Sequence, residues 1–147
     1  MSDNTRVFNQ CCMEGMKGFP DKYFDLAIVD PPYGIGANKE KPHNGWADWG
    51  IKDWDKPIDA YFNNEYFAEL ERVSKNQIIW GANHFGNMAP ASCWVVWDKG
   101  QREFSLADAE LAWTSFDTSV RVFDYPRGKA NQENKVHPTQ KPVALYK

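Results

Sequence analysis

Long apolar runs are what this chain lacks most plainly. No window of its 147 residues approaches the roughly 20 apolar residues of a membrane-spanning helix. The opening Met1-Ser2-Asp3-Asn4 is polar, so no secretory signal is expected either. Cysteine is scarce: Cys11, Cys12 and Cys93 form an odd set with two members adjacent, which argues against a disulfide framework. Reduced thiols of this kind fit a cytoplasmic protein. The histidines His43, His84 and His137 are scattered, and neither Cys-x-x-Cys nor His-Glu-x-x-His spacing occurs, so no metal site is expected. Positive charge is also short. A net charge of −3 argues against a nucleic-acid binder that is basic all over, although an enzyme that touches DNA locally needs only a basic stripe. No P-loop and no internal repeat is present, and Gly34-Ile35-Gly36 lacks the third glycine of a dinucleotide-binding turn.

What the chain does have is length for one core and an abundance of rings. Residues 1–147 are too few for two ordinary domains, so one domain is expected. Seven Trp, six Tyr and nine Phe supply core volume and are also the groups a protein uses to stack on unpaired bases. The basic balance sits at the C-terminal end, where Arg121, Arg127, Lys129, Lys135, Lys141 and Lys147 face only Asp124 and Glu133. That tail is the candidate for contacts to a nucleic-acid backbone.

The apolar pattern predicts an alternation of strands and helices. Residues 7–8 open with a short strand and residues 13–19 form a brief helix ended by Pro20. Residues 25–30 are apolar on successive positions, as expected of an interior parallel strand covered on both faces. The long polar loop 38–57 interleaves Trp46, Trp49 and Trp54 with Lys39, Lys41, Lys52 and Lys56. Its two readings are a lid that contacts DNA, with Lys39, Lys41 and Trp46 at the contact, or a loop pinned to the body by its tryptophans. Residues 61–73 carry Phe62, Tyr66, Phe67, Leu70 and Val73 at helical spacing. Strands at 76–80 and 93–97 follow, with a short helix or turn at 83–88 between them, a pattern that means an α/β parallel sheet. Residues 111–114 and 120–123 read as a hairpin-like antiparallel pair at the sheet edge. The stretch 126–135 is polar and linker-like.

Two motifs carry chemistry. Asp30-Pro31-Pro32-Tyr33 lies at the mouth of the strand 25–30. The Asp30 carboxylate and the Pro31 carbonyl are placed to accept the two hydrogens of a ring-bound amino group, drawing its nitrogen toward tetrahedral geometry and stabilising charge that develops on it. Tyr33 offers a face for stacking, and Pro31 and Pro32 fix φ and hold the turn rigid. An aspartate and two prolines also simply end a strand and begin a turn, which is the plain alternative. The second motif is His137-Pro138-Thr139-Gln140-Lys141-Pro142. With Asn76-Gln77-Ile78-Ile79-Trp80-Gly81-Ala82-Asn83-His84-Phe85 and Cys93-Trp94-Val95-Val96-Trp97-Asp98-Lys99, the pair resembles the S-adenosylmethionine-dependent DNA amino-methyltransferases, in the permuted order with the target-base motif first. The small phage and prophage adenine methylases are similar over nearly the whole chain.

The resemblance implies a Rossmann-like α/β methyltransferase fold, with a mostly parallel sheet and an antiparallel edge. It implies transfer of a methyl group from S-adenosylmethionine to N6 of an adenine flipped out of double-stranded DNA. Asp30, Pro31, Pro32 and Tyr33 would be the catalytic set, and His137, Thr139, Gln140 and Lys141 would line the methionine end of the cofactor, with Lys141 facing its carboxylate. Thr139 as a helix cap and Pro142 in a first turn would serve the same segment structurally. Stretch 124–136 would hold target recognition, with Arg127, Lys129 and Lys135 on DNA. The glycine-rich cofactor turn should follow the second motif, yet the sequence ends at Lys147, five residues past Pro142. The expectation is therefore an incomplete fold with weak cofactor binding and little or no activity. N4 of cytosine is the alternative target, and a non-catalytic nucleic-acid-binding remnant without the cofactor half is the alternative of a different class. Cytosine C5 chemistry is disfavoured, since Cys93 follows Ser92 and not a proline.

Overall fold

The computed structural model describes residues 5–34, 60–103, 106–132 and 140–147, with the backbone alone at 60–63. The predicted loop 38–57 with Lys39, Lys41 and Trp46 lies outside the described residues, as do Lys135, His137 and Thr139.

Within them the chain runs α1 (Cys12–Lys17), β1 (Phe24–Val29), α2 (Ala60–Val73), β2 (Ser74–Trp80), a 3-10 turn (Ala82–His84), β3 (Trp94–Asp98), β4 (Ala109–Thr114), β5 (Arg121–Asp124), α3 (Arg127–Ala130) and a last 3-10 turn (Val143–Tyr146). The result is an α/β fold with a five-strand mixed open sheet in the order β1-β2-β4-β3-β5. β1 pairs parallel with β2, and β3 parallel with β5. β4 is antiparallel to both of its neighbours, β2 and β3. Four strands thus point one way and β4 alone opposes them.

Alternation along the strands divides the core between two faces. On one face, Tyr66 and Leu70 of α2 pack with Ile79, Ala82, Phe85 and Trp113. Tyr66, Leu70 and Val73 recur at steps of four and three residues, the stripe that lets α2 bury one side. The helix passes directly into β2, and there Ser74 is buried with its Oγ donating to the Leu70 carbonyl at 2.5 Å. Arg72 ties the end of α2 to the start of the chain, donating to the carbonyls of Phe19 and Met16 and to the Asp21 carboxylate. On the other face Trp80, Trp97 and Ala112 pack with Ala130 of α3, and Leu145 of the last 3-10 turn joins them. Both chain segments after β5 therefore close the same face.

Five expectations are corrected. Val7 and Phe8 form no strand and stand exposed, since two apolar residues alone give too little surface to hold an edge. β1 is not interior among the described residues: it lies at the sheet edge, with Leu26 and Ile28 each 41% exposed. An apolar run shows that a strand can be covered, not that it is. The expected hairpin of residues 111–114 and 120–123 does not exist, because β3 lies between β4 and β5. β3 is apolar through Trp94, Val95, Val96 and Trp97 and takes a neighbour on each side, pairing Trp94 with Trp113 and Val96 with Val122. The antiparallel strand is accordingly β4, inside the sheet and not at its edge. The stretch 126–135 is not all linker, as it holds α3.

Candidate functional site

In open α/β sheets, ligand chemistry gathers where like-directed strands end at their carboxyl edge. Asp30 follows the last residue of β1, Gly81 follows β2, Lys99 follows β3, and Glu110 stands near the start of the opposed strand β4, so all four meet at that edge. The described cluster is built from these positions.

Asp30 accepts from the Tyr33 hydroxyl at 2.6 Å on Oδ1. Burial first, then the charge and hydrogen bond of Asp30, push the Tyr33 hydroxyl well above the ordinary phenol value, so it remains protonated and donates. Its ring stacks on the His84 imidazole, with centroids 5.0 Å apart and planes 23° from parallel, and meets Phe85 edge-on at 6.3 Å. A glycine makes this possible. Gly81 has φ +69°, and a Cβ there would fall 2.0 Å from Tyr33 Cε1, inside the ring's own volume. Pro31 is buried and Pro32 exposed, which anchors one side of the turn in the body.

The second motif reaches this turn through Lys141. Its Nζ lies 2.7 Å from Asp30 Oδ2, across 111 residues of sequence, and 3.2 Å from the Tyr33 hydroxyl. The same ammonium lies 3.1 Å from Glu110 Oε2 and over the rings of Trp80 and Tyr33, at 5.3 Å and 5.8 Å. Its side chain is 4% exposed. Glu110 in turn receives Lys99 Nζ on Oε1 at 2.7 Å, and that ammonium sits 5.1 Å from the Trp97 ring centroid. Burial pushes the Glu110 carboxyl up, but the charges of Lys141 and Lys99 outweigh it and hold the group below its ordinary value. Lys99, Glu110, Lys141 and Asp30 thus form a chain of alternating sign at the carboxyl edge. Burial, with the charges of Asp30 and Glu110 behind it, pushes the nearby Tyr146 hydroxyl up to about 12.

The two motifs are therefore brought together where described: Asp30, Tyr33 and Lys141 touch, and Gln140 is half-buried next to Lys141 in the chain. Arg127 and Lys129 stand apart from them on α3. Arg127 lines an open cleft of about 410 Å³ together with Lys99, Arg102, Gly100, Gly128 and Asn131. Lys129 covers the Tyr125 ring at 5.0 Å. Among the described residues no group of His, Cys, Asp or Glu is arranged to hold a metal ion, and no helix is long and apolar enough to cross a membrane. Cys11 and Cys12 are exposed and Cys93 is buried, all as free thiols.

Sequence reasoning missed Glu110 altogether and gave no site role to Lys99 and Gly81. Glu110 had a signal: it is an acid inside the otherwise apolar run Ala109-Glu110-Leu111-Ala112-Trp113, and a carboxylate in such a strand needs a partner. Lys99 and Gly81 had none that spacing alone could show. No family model matches the chain.

Proposed function

We propose that the chain binds a flipped adenine of double-stranded DNA at the Asp30–Tyr33 turn and serves its methylation at N6, with S-adenosylmethionine as the methyl donor. The observation that supports this most is the meeting of two motifs 111 residues apart in one part-buried cluster, with the Asp30 carboxylate at its centre. An amino group attached to an aromatic ring is a poor nucleophile, and a fixed carboxylate that accepts its N–H favours the charge that grows on nitrogen as it reacts. Tyr33 is held upright against Gly81 and His84, a rigid ring at the rim of the same cluster. The cleft beside Lys99, with Arg102 and Arg127, suits a phosphate backbone.

The described residues do not fit the donor itself. Lys141, expected to face the cofactor's carboxylate, is buried and bonded to Asp30 and Glu110. Gly81, a glycine of positive φ at the carboxyl edge, is filled by the Tyr33 ring, and Gly100 faces Pro126. The chain's own residues supply the base side: an acceptor, a ring and a basic cleft. That same occupation of Lys141 favours a second reading, a nucleic-acid-binding module that holds an extrahelical base without transferring a methyl group.

The deciding measurement incubates the purified chain with S-adenosylmethionine and unmethylated genomic DNA, followed by digestion to nucleosides and mass spectrometry. N6-methyladenine as product would support the transferase reading. N4-methylcytosine would move the target to cytosine. No methylated base, with retained binding to a duplex carrying a bulged adenine, would select the binding module. Neither product nor binding would remove both readings.

A further inference from the structure

We propose that Glu110 is the positioning residue of this site: it holds the Lys141 ammonium against Asp30 in the free chain and keeps that ammonium when a substrate amino group takes its place on Asp30 Oδ2. The inference rests on the base-binding role proposed for Asp30.

Both oxygens of the Asp30 carboxylate have donors in the free chain, Tyr33 on Oδ1 at 2.6 Å and Lys141 on Oδ2 at 2.7 Å. An incoming amino group therefore needs one of them to yield. Tyr33 is the poorer candidate. Its hydroxyl donates to Asp30, and its other contact in the cluster, Lys141, is itself a donor, so leaving Asp30 would strand a proton in a half-buried place. Lys141 can yield, because its Nζ already lies 3.1 Å from Glu110 Oε2. Removing a 4% exposed ammonium from its only carboxylate would be costly; with a second one in reach, the charge stays paired throughout. The exchange also uncovers the Asp30 charge at the moment when positive charge builds on the amino nitrogen facing it.

Lys99 completes the arrangement from the other side. Its ammonium, with the side chain 11% exposed, bonds Glu110 Oε1 at 2.7 Å and rests on Trp97. Glu110 therefore keeps a cation whichever position Lys141 adopts, and the carboxyl is held ionised against its own burial. The backbone fixes its place: Glu110 lies opposite Trp97 in the β3–β4 register, on the face where Lys141 meets Trp80.

The test uses the full chain carrying ¹³C at glutamate carboxyls and ¹⁵N at lysine Nζ, followed by NMR. Glu110→Gln identifies the Glu110 carboxyl signal by its loss, and Lys141→Met identifies the Lys141 ammonium. In the parent chain Glu110 should titrate below the ordinary glutamate range, and in Lys141→Met it should move to higher pH. A duplex with one bulged adenine should shift the Lys141 signal while Glu110 stays ionised. With unmethylated genomic DNA, Glu110→Gln should lower kcat by roughly 100-fold, as misplacing a reacting group does, leave KM for DNA near the parent's, and be rescued in part by Glu110→Asp. A Glu110 carboxyl that titrates in the ordinary range, or that ignores Lys141→Met, overturns the proposal without any variant having to be active. Loss confined to KM overturns it as well. Should the parent transfer no methyl group at all, the methylation reading fails by itself, and the carboxyl titration with the bulged duplex still decides Glu110.

Discussion

At the scale of single residues, the site is a set of charges whose partners were chosen by the fold. Asp30 stands at a strand end with its side chain 31% exposed, a position from which a side chain is ordinarily removed at little cost to the fold. The contacts with Tyr33 and Lys141 change that. Asp30→Ala is expected to abolish methyl transfer and also to cost about 1–3 kcal/mol, because the Tyr33 hydroxyl loses its acceptor while Lys141 keeps Glu110. Urea unfolding checks the second part, and a midpoint equal to the parent's would show that the Tyr33 contact contributes nothing. Gly81→Ala tests the glycine under the ring. Left-handed backbone costs roughly 1–2 kcal/mol once a Cβ is present, and here the Cβ also falls within the Tyr33 ring, with Cε1 at 2.0 Å and Cζ at 2.3 Å. Loss of the Tyr33–His84 stacking, seen as altered ring-proton shifts of both residues, should accompany the destabilisation. An unchanged His84 spectrum would mean that the ring has another way to sit.

Among the elements, α2 and β4 carry the site without belonging to it. α2 presses Tyr66 and Leu70 onto Ile79 and Trp113, and this sets the height of β2, whose end supplies Trp80 and Gly81. Leu70→Ala is expected to destabilise the chain by about 2–5 kcal/mol, the range for a buried leucine whose cavity closes only in part. Denaturant midpoints measure this, and a loss under 1 kcal/mol would show that α2 collapses onto the gap. β4 brings Glu110 to the carboxyl edge precisely because it runs against its neighbours: its first residues lie beside their last ones. A parallel strand in that position would have delivered its C-terminal residues there and sent Glu110 to the far edge. The short α3 and the last 3-10 turn cover the Trp80–Trp97 face, and the latter begins two residues after Lys141.

For the whole molecule, the coupling of these charges to folding predicts how stability follows pH. Glu110 is held below its ordinary 4.5, and Arg102, with the Gly100 amide, holds the half-buried Asp98 at about 2. A carboxyl depressed in the folded state stabilises above its unfolded value and loses that contribution as pH falls through the folded one. Tyr33 and Tyr146 are raised, so their contributions are complete below the ordinary 10.0 and fade as pH rises, Tyr146 near 12. Urea midpoints should therefore be level from about pH 5 to 9, drop below 4.5 and drop again above 10; a midpoint still level at pH 3 would mean that Glu110 is not paired as described. Local pattern made much of this protein legible: the helical stripe of Tyr66, Leu70 and Val73, the apolar strands, and the turn Asp30-Pro31-Pro32-Tyr33 all follow from spacing and backbone preference, which act over a few residues. What neighbours what did not follow. The insertion of β3 between β4 and β5, the exposed flank of β1 and the meeting of Asp30 with Lys141 and Glu110 depend on pairings across long stretches of chain, where each strand can satisfy its backbone with several partners. Packing of the two faces selects among those pairings, and a carboxylate's ionic partners are set only once that selection has been made.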